Sequence, residues 1–231
     1  IIEAVGIWED VISAFLYKVL LQNESFNLLD VGAFNGHYSI QVAAAGRKSV
    51  AVEAKQKHIS MIIKAIQLNH FADRITVLHN AIDKVARKAI GITRDNNRGG
   101  TQVRLQNSKH NNSVLTITLN DLLDVSDFNT AVLMIDIEGH ESNAFASADK
   151  LFDKMYIPIV FMEWAICRLG KNCEIDDLEF IQDFLYQRGY SPHKYIHNRY
   201  FLTQSTLLNR EEYMEWPYDI YWVHPKAKLR L

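Results

Sequence analysis

The stretch LLDVGAFNGHYS, Leu28 to Ser39, runs a short apolar strand into a glycine-containing turn and then into a helical pattern. Asp30 lies at the end of the strand. Gly32 permits a tight turn, and Gly36 permits close approach by a ligand or by the next helix. The pattern is D-x-G-x-x-x-G, not the dinucleotide fingerprint G-x-G-x-x-G. Phe34 stands two residues after Gly32, and Phe34, Asn35 and His37 occupy the space where a pyrophosphate needs bare amides. The turn suits a compact zwitterionic ligand without phosphate, whose ammonium Asp30 accepts directly or through water. The alternative is a strand–helix turn that holds no ligand.

Outward from this turn the chain alternates strand-like and helix-like runs. NLLDV and SVAVEA read as strands, and HYSIQVAAAG between them is helical and stops at Gly46. HISMIIKAIQLN has apolar residues at helical spacing, and ITVLHNAI, Ile75 to Ile82, is the next strand. TAVLMIDIE (Thr130–Glu138) and YIPIVFMEW (Tyr156–Trp164) are near-continuous apolar runs, as buried parallel strands should be. DDLEFIQDFLYQRG is an amphipathic helix closed by Gly189, and DIYWVH is a last strand. Thr93–Gln102 and Gln106–Asn112 are polar loops around a short strand, TQVRL. This alternation predicts an α/β fold: a mostly parallel, doubly wound sheet with helices on both faces, binding its ligand beyond the carboxyl ends of the strands. We read residues 1–231 as one domain, with an N-terminal helical region (1–26), a cofactor-binding core (27–163) and a C-terminal region (164–231) that completes the sheet and faces the acceptor.

Composition agrees. The 231 residues are 48% hydrophobic and 23% charged, enough for one sizeable core. A net charge of −2 gives no general affinity for polyanions, so nucleic acid is not an expected partner. The early apolar run VISAFLYKVLL is interrupted by Lys18 and reads as an amphipathic helix rather than a membrane span. Cys167 and Cys173 lack metal-site spacing; two free thiols or a single bridge are both open. Sequons at Asn23 and Asn111 decide little. The chain begins at Ile1, which leaves the compartment open between the cytoplasm and the lumen of the secretory pathway.

The strand ends point to a ligand. Glu53, with Ala54 beside it, ends the second strand, where an acid accepts both hydroxyls of a ribose. At the end of the third strand Asn80 can bond an adenine edge, and Ala81 and Ile82 can line its face. Asp30, Glu53 and Asn80 together describe an adenosine pocket with an amino-acid tail, which is S-adenosylmethionine. The fourth strand ends in LMIDIEGHE, where Asp136, Glu138, His140 and Glu141 crowd six residues. Charges at the end of an apolar strand are costly unless used or paired. A helix N-terminus favours acids and accounts well for Glu141, but poorly for Asp136.

LLDVGAFNGHYS, VAVEA, TLNDLL (Thr118–Leu123) and MIDIEGHE, in that order, resemble the FkbM-type methyltransferases over roughly Leu28 to Glu163. The resemblance implies a Rossmann-like class I fold dependent on S-adenosylmethionine, and methyl transfer generally to oxygen. By position, Asp30, Gly32, Asn35 and Gly36 match the first cofactor loop, with Ala33 and Phe34 lying between them. Glu53 matches the ribose acid, and Asp136 with Glu138 match the strand-four signature. The chain departs from the family in AKQKH after Glu53, where many members carry a proline-containing turn, and in Phe34 and His37. No family motif transfers to the chain after Glu163, the region expected to select the acceptor.

Methyl transfer is an in-line displacement that depends on alignment of the acceptor, and an alcohol acceptor gains from a positioned base. His140 is the first candidate, Asp136 the second and Glu163 the third; a core or capping role for His140 stays open. Glu138, Glu163 and Trp164 are the expected acceptor contacts. The aromatic tail, Asn198 to His224, either stacks on a sugar or covers a sheet edge. A subsidiary reading has Asp136, Glu138 and His140 alternate along a strand and hold magnesium or manganese. Two further alternatives are a nicotinamide-dependent oxidoreductase and a catalytically silent binding module.

Overall fold

The computed structural model describes residues 9–92, 103–104, 113–164, 174–196, 201–204, 219–227 and 229. Cys167, Cys173, the sequon at Asn111 and the loops expected at 93–102 and 106–112 lie outside the described residues. The described chain opens with helix α1 (Asp10–Gln22) and strand β1 (Asn27–Val31), followed by α2 (His37–Ala44) and β2 (Ser49–Glu53). Next come α3 (Gln56–Asn69), β3 (Ile75–His79), β4 (Ala81–Ile82), β5 (Ala89–Ile92), β6 (Val103–Arg104) and β7 (Ser113–Ile117). A 3₁₀ turn (Leu119–Asp121) leads into α4 (Leu122–Val125), then β8 (Ala131–Ile135), α5 (Glu141–Phe145), α6 (Asp149–Lys154) and β9 (Ile159–Glu163). The chain closes with α7 (Ile175–Tyr186), β10 (Ser191–Ile196), β11 (Phe201–Gln204) and β12 (Asp219–Val223).

Eight strands form the main sheet in the order β11-β10-β12-β9-β8-β1-β2-β3. The pairs from β9 to β3 are parallel, and β12 runs antiparallel between β9 and β10. Side chains alternate between the two faces. Leu28, Val132, Met134, Ile159, Phe161 and Tyr221 pack with Phe15, Leu16 and Val19 of α1 and Val42 of α2. Ala51 joins Ile62 and Ile66 of α3. On the other face Leu29, Val31, Leu133, Ile135, Val160 and Met162 pack with Phe145, Leu151, Ile181 and Phe184 of α5, α6 and α7. The expected doubly wound α/β architecture with helices on both faces is therefore present.

Two expectations need correction. ITVLHNAI is not one strand: it breaks at Asn80, and β4 pairs with β7 in a second sheet, β4-β7-β5-β6. The Asn80 amide donates to Leu115 O at 3.0 Å, which holds the break. The apolar run TAVLMIDIE likewise leaves the sheet after Ile135. In the tail, DIYWVH forms the expected last strand, β12, and β11 is a further strand of the main sheet. Among the described residues, no helix is long and apolar enough to cross a membrane.

Candidate active site

The carboxyl ends of the parallel strands open on a cavity of about 670 Å³, within the usual range of small-molecule sites. Its lining follows strand order. Asn80, Ala81 and Ile82 lie past β3, and Glu53 and Ala54 end β2. Asp30 and the turn from Gly32 to Asn35 come from β1; Asp136, Ile137, Glu138 and His140 follow β8; Glu163 ends β9. Because β12 is antiparallel, its first residue, Asp219, pairs with Glu163 and faces the same cavity. Six strand ends at ~4.8 Å spacing span roughly 24 Å, longer than a single small ligand requires.

The turn after β1 is built by backbone contacts. The amides of Gly32 and Ala33 both donate to Val52 O, at 2.9 and 3.0 Å, and Asp136 N donates to Val31 O at 3.0 Å. Gly32 has φ +87°, and a Cβ there would lie 1.8 Å from the carbonyl oxygen of Asp136. Only glycine lets these two loops touch. Gly36 does not line the cavity. Its open side faces α3, not the next helix α2, and a Cβ there would meet Ile62 Cγ1 at 2.9 Å.

Asp30, 3% exposed, accepts from Ser39 through one oxygen only: Oδ2 takes the Ser39 amide at 3.2 Å and the hydroxyl at 2.6 Å. Ser39 is in the first turn of α2, so the acid also meets the positive end of that helix. Burial pushes its pKa up to about 6, against the lowering effect of Ser39. Glu53, 7% exposed, joins two loops: Oε2 accepts from Phe34 N at 2.8 Å and Oε1 from Lys55 N at 2.7 Å. Each oxygen keeps a further lone pair.

The DIEGHE loop depends on Glu141. This acid is 2% exposed, and its oxygens accept from Ile137 N at 2.9 Å and Gly139 N at 3.0 Å. Burial raises its pKa to about 7, although these amide bonds oppose the rise. The helix-end reading of Glu141 was therefore incomplete: the residue ties the loop from inside. Glu138 takes a left-handed φ of +60°, so Asp136, Glu138 and His140 do not alternate as strand neighbours. Among the described residues, no group of three His, Cys, Asp or Glu side chains is arranged to hold a metal ion.

Asp136, just past the buried strand β8, is exposed and opens on the cavity. Desolvation there, and then the charges of Glu163, Glu141, Glu138 and Glu9, raise its pKa well above the usual carboxylate range. Burial with Glu9 and Glu163 pushes Asp219 up to about 7. Trp164 needs correction: it is fully buried in the core, edge-on to Trp222 at 5.6 Å, and does not line the cavity. In a strand buried on both faces, the residue after Glu163 points into the layer beneath the site. Sequence reading missed Glu9, Tyr38, His58, Asn143 and Asp219 in the lining. Asp219 had a usable signal, since a strand antiparallel to β9 must start beside the end of β9. Glu9 and Tyr38, which hydrogen-bond each other, had none.

A family model described as the methyltransferase FkbM domain matches residues 30–192. The chain belongs to the FkbM methyltransferase family. It is a methyltransferase dependent on S-adenosylmethionine, and the nicotinamide alternative falls. Solved structures of similar fold include an O-methyltransferase from Bacillus cereus in complex with SAH (13% identity, 94% of this chain and 82% of that chain, TM-score 0.50). Magnesium protoporphyrin IX methyltransferase from Synechocystis PCC 6803 with bound SAM is another (14% identity, 94% and 78%, TM-score 0.50). A third is the C-terminal domain of precorrin-6Y C5,15-methyltransferase from Rhodobacter capsulatus (12% identity, 94% and 90%, TM-score 0.50). At these identities the likeness establishes the fold. No curated protein matches the chain significantly in sequence.

Proposed function

We propose that this FkbM methyltransferase methylates a hydroxyl oxygen of a carbohydrate or small metabolite, acting as one domain whose C-terminal region faces the acceptor. One observation carries the reading: the cavity continues past the β1 and β2 ends to a region where His140 stands with Asp136, Glu138, Glu163 and Asp219. These groups accept hydrogen bonds from hydroxyls and can take a proton from one.

The lining fits the cofactor. Asn80, Ala81 and Ile82 would hold the adenine, with Ala54 beside them. Glu53, pinned by two amides, would accept the ribose hydroxyls through its remaining lone pairs. Ala33, Phe34 and Asn35 would line the turn, and the second oxygen of Asp30 would take the ammonium, supported by Asp136. When bound, S-adenosylmethionine supplies a methyl group already activated on a sulfonium. The protein's share is then alignment and proton removal. His140 is assigned as the base that accepts the hydroxyl proton; Glu138 and Glu163 orient the acceptor. Asp136 holds cofactor or acceptor in line and is the reserve proton acceptor.

The test is a transfer screen with methyl-labelled cofactor over glycans, small alcohols and peptides, read by mass spectrometry. Label on oxygen is expected. Label found only on nitrogen or carbon would overturn the reading.

A further inference from the structure

His58 lies in the first turn of α3, on no motif that the cofactor site uses, yet it is 8% exposed and borders the cavity. Its Nδ1 stands 3.3 Å from Oε1 of Glu53 and is buried, but it is not aligned for a hydrogen bond with any described group. Its ring meets Phe34 edge-on, with centroids 4.5 Å apart and planes at 79°. Phe34 in turn donates its amide to the other Glu53 oxygen from a left-handed φ of +48°. Glu53 is thus enclosed on three sides: the Phe34 amide, the Lys55 amide and the His58 imidazole. The first two are backbone groups and fixed. Only the third is a side chain that can turn.

The tautomer follows from the contact. An unprotonated Nδ1 would set a lone pair against a carboxylate lone pair at 3.3 Å, which is repulsive; a proton on Nδ1 makes the contact attractive. A small rotation of the ring brings that N–H into line with Oε1. We propose that His58 is a positioning residue for the ribose-binding acid. Its Nδ1–H takes the remaining lone pair of Oε1 and so fixes the Glu53 carboxylate with the remaining lone pair of Oε2 toward the ribose hydroxyls, while its ring props the strained Phe34 turn. It therefore sets how strongly the enzyme requires a ribose with both hydroxyls, rather than how tightly it holds adenine. The inference rests on the proposed role of Glu53, and the test separates the two.

The experiment compares adenosine with 2′-deoxyadenosine by calorimetry on the whole protein. The variants are His58→Phe, His58→Asn and Glu53→Gln. His58→Phe keeps the ring against Phe34 and removes the N–H; Asn restores a donor near the position of Nδ1. The expected result is about a tenfold loss of the preference for adenosine in His58→Phe, with 2′-deoxyadenosine affinity little changed, and partial recovery in His58→Asn. Glu53→Gln should lose the same preference. If His58→Phe weakens both nucleosides equally, or leaves the preference intact while Glu53→Gln abolishes it, the positioning role is refuted. If Glu53→Gln itself keeps the preference, the ribose reading of Glu53 fails first. Thermal melts identify a variant that does not fold, and His58→Gln, which retains a donor on a flexible chain, then replaces His58→Phe. In that case His58→Leu, which has no donor, is compared with His58→Gln: loss of the preference in His58→Leu with retention in His58→Gln supports the donor requirement, and an equal preference in the two overturns it.

Discussion

Replacing Gly32 by alanine probes the junction on which the site is built. Two costs add. The residue has φ +87°, a conformation in which an L side chain costs about 1–2 kcal/mol. The new Cβ would also lie 1.8 Å from the carbonyl oxygen of Asp136 and 2.8 Å from its carbonyl carbon. Both are backbone atoms, so relief requires movement of the chain leaving β8; overpacking of this kind costs typically about 1–3 kcal/mol. The sum is about 2–5 kcal/mol, or roughly 4–20 °C of melting temperature for a chain of this size. Gly46→Ala is the control. Its φ is +78°, but nothing lies within 4 Å of its Cβ, so only the conformational cost of about 1–2 kcal/mol applies. Urea denaturation of both variants isolates the clash as their difference. Because the displaced carbonyl belongs to Asp136, Gly32→Ala should also lower the turnover rate of whatever stable protein remains. Equal destabilisation of the two variants would refute the contact between the two loops.

Four other outcomes follow from the same geometry. Glu53→Ala should weaken S-adenosylmethionine binding by about 1–3 kcal/mol, measured by calorimetry; unchanged affinity would count against the ribose role. His140→Ala should reduce turnover roughly 10²–10⁴-fold while cofactor binding survives and chelator has no effect on the wild type. A fully active variant would leave Asp136 or Glu163 as proton acceptor. Asp30 and Glu141 have folded-state pKa values raised to about 6 and about 7. For raised acids the folded state holds the proton longer than the unfolded chain. Their contribution to stability is therefore present below pH ~4 and is lost as pH rises through about 6 to 7. Denaturant midpoints of the cofactor-free protein should show this loss between pH 4 and pH 7.5, up to about 3 kcal/mol for each acid, and Asp30→Asn with Glu141→Gln should flatten it. An identical profile in that double variant would defeat the assignment. Finally, Ser142→Ala removes the 2.6 Å hydrogen bond from α5 to Asp177 on α7 and should cost about 1–2 kcal/mol in urea titration, with no loss of cofactor affinity.

The sequence by itself determined the alternation of elements and where their ends lie. Period-2 and period-3.6 patterns are local, and so are the glycine-dependent turns at Gly32, Gly46 and Gly189. That is why β1, β2, α3 and α7 match the reading closely, and why Asp30, Glu53, Asn80 and Asp136 could be placed at strand ends from spacing alone. What the tertiary structure decided depends on contacts between distant segments. The break at Asn80 is set by its bond to Leu115, thirty-five residues on, and the place of Asp219 by its pairing with Glu163. Trp164 looks like a site residue beside Glu163, but alternation across a strand buried on both faces sends it into the core. Glu141 and His58 read as ordinary helix-start residues. Their roles appear only when the chain folds a carboxylate under the DIEGHE loop and an imidazole against Glu53. A buried polar group is defined by the partner that compensates its lost hydration, and that partner is chosen by the fold rather than by neighbours in sequence.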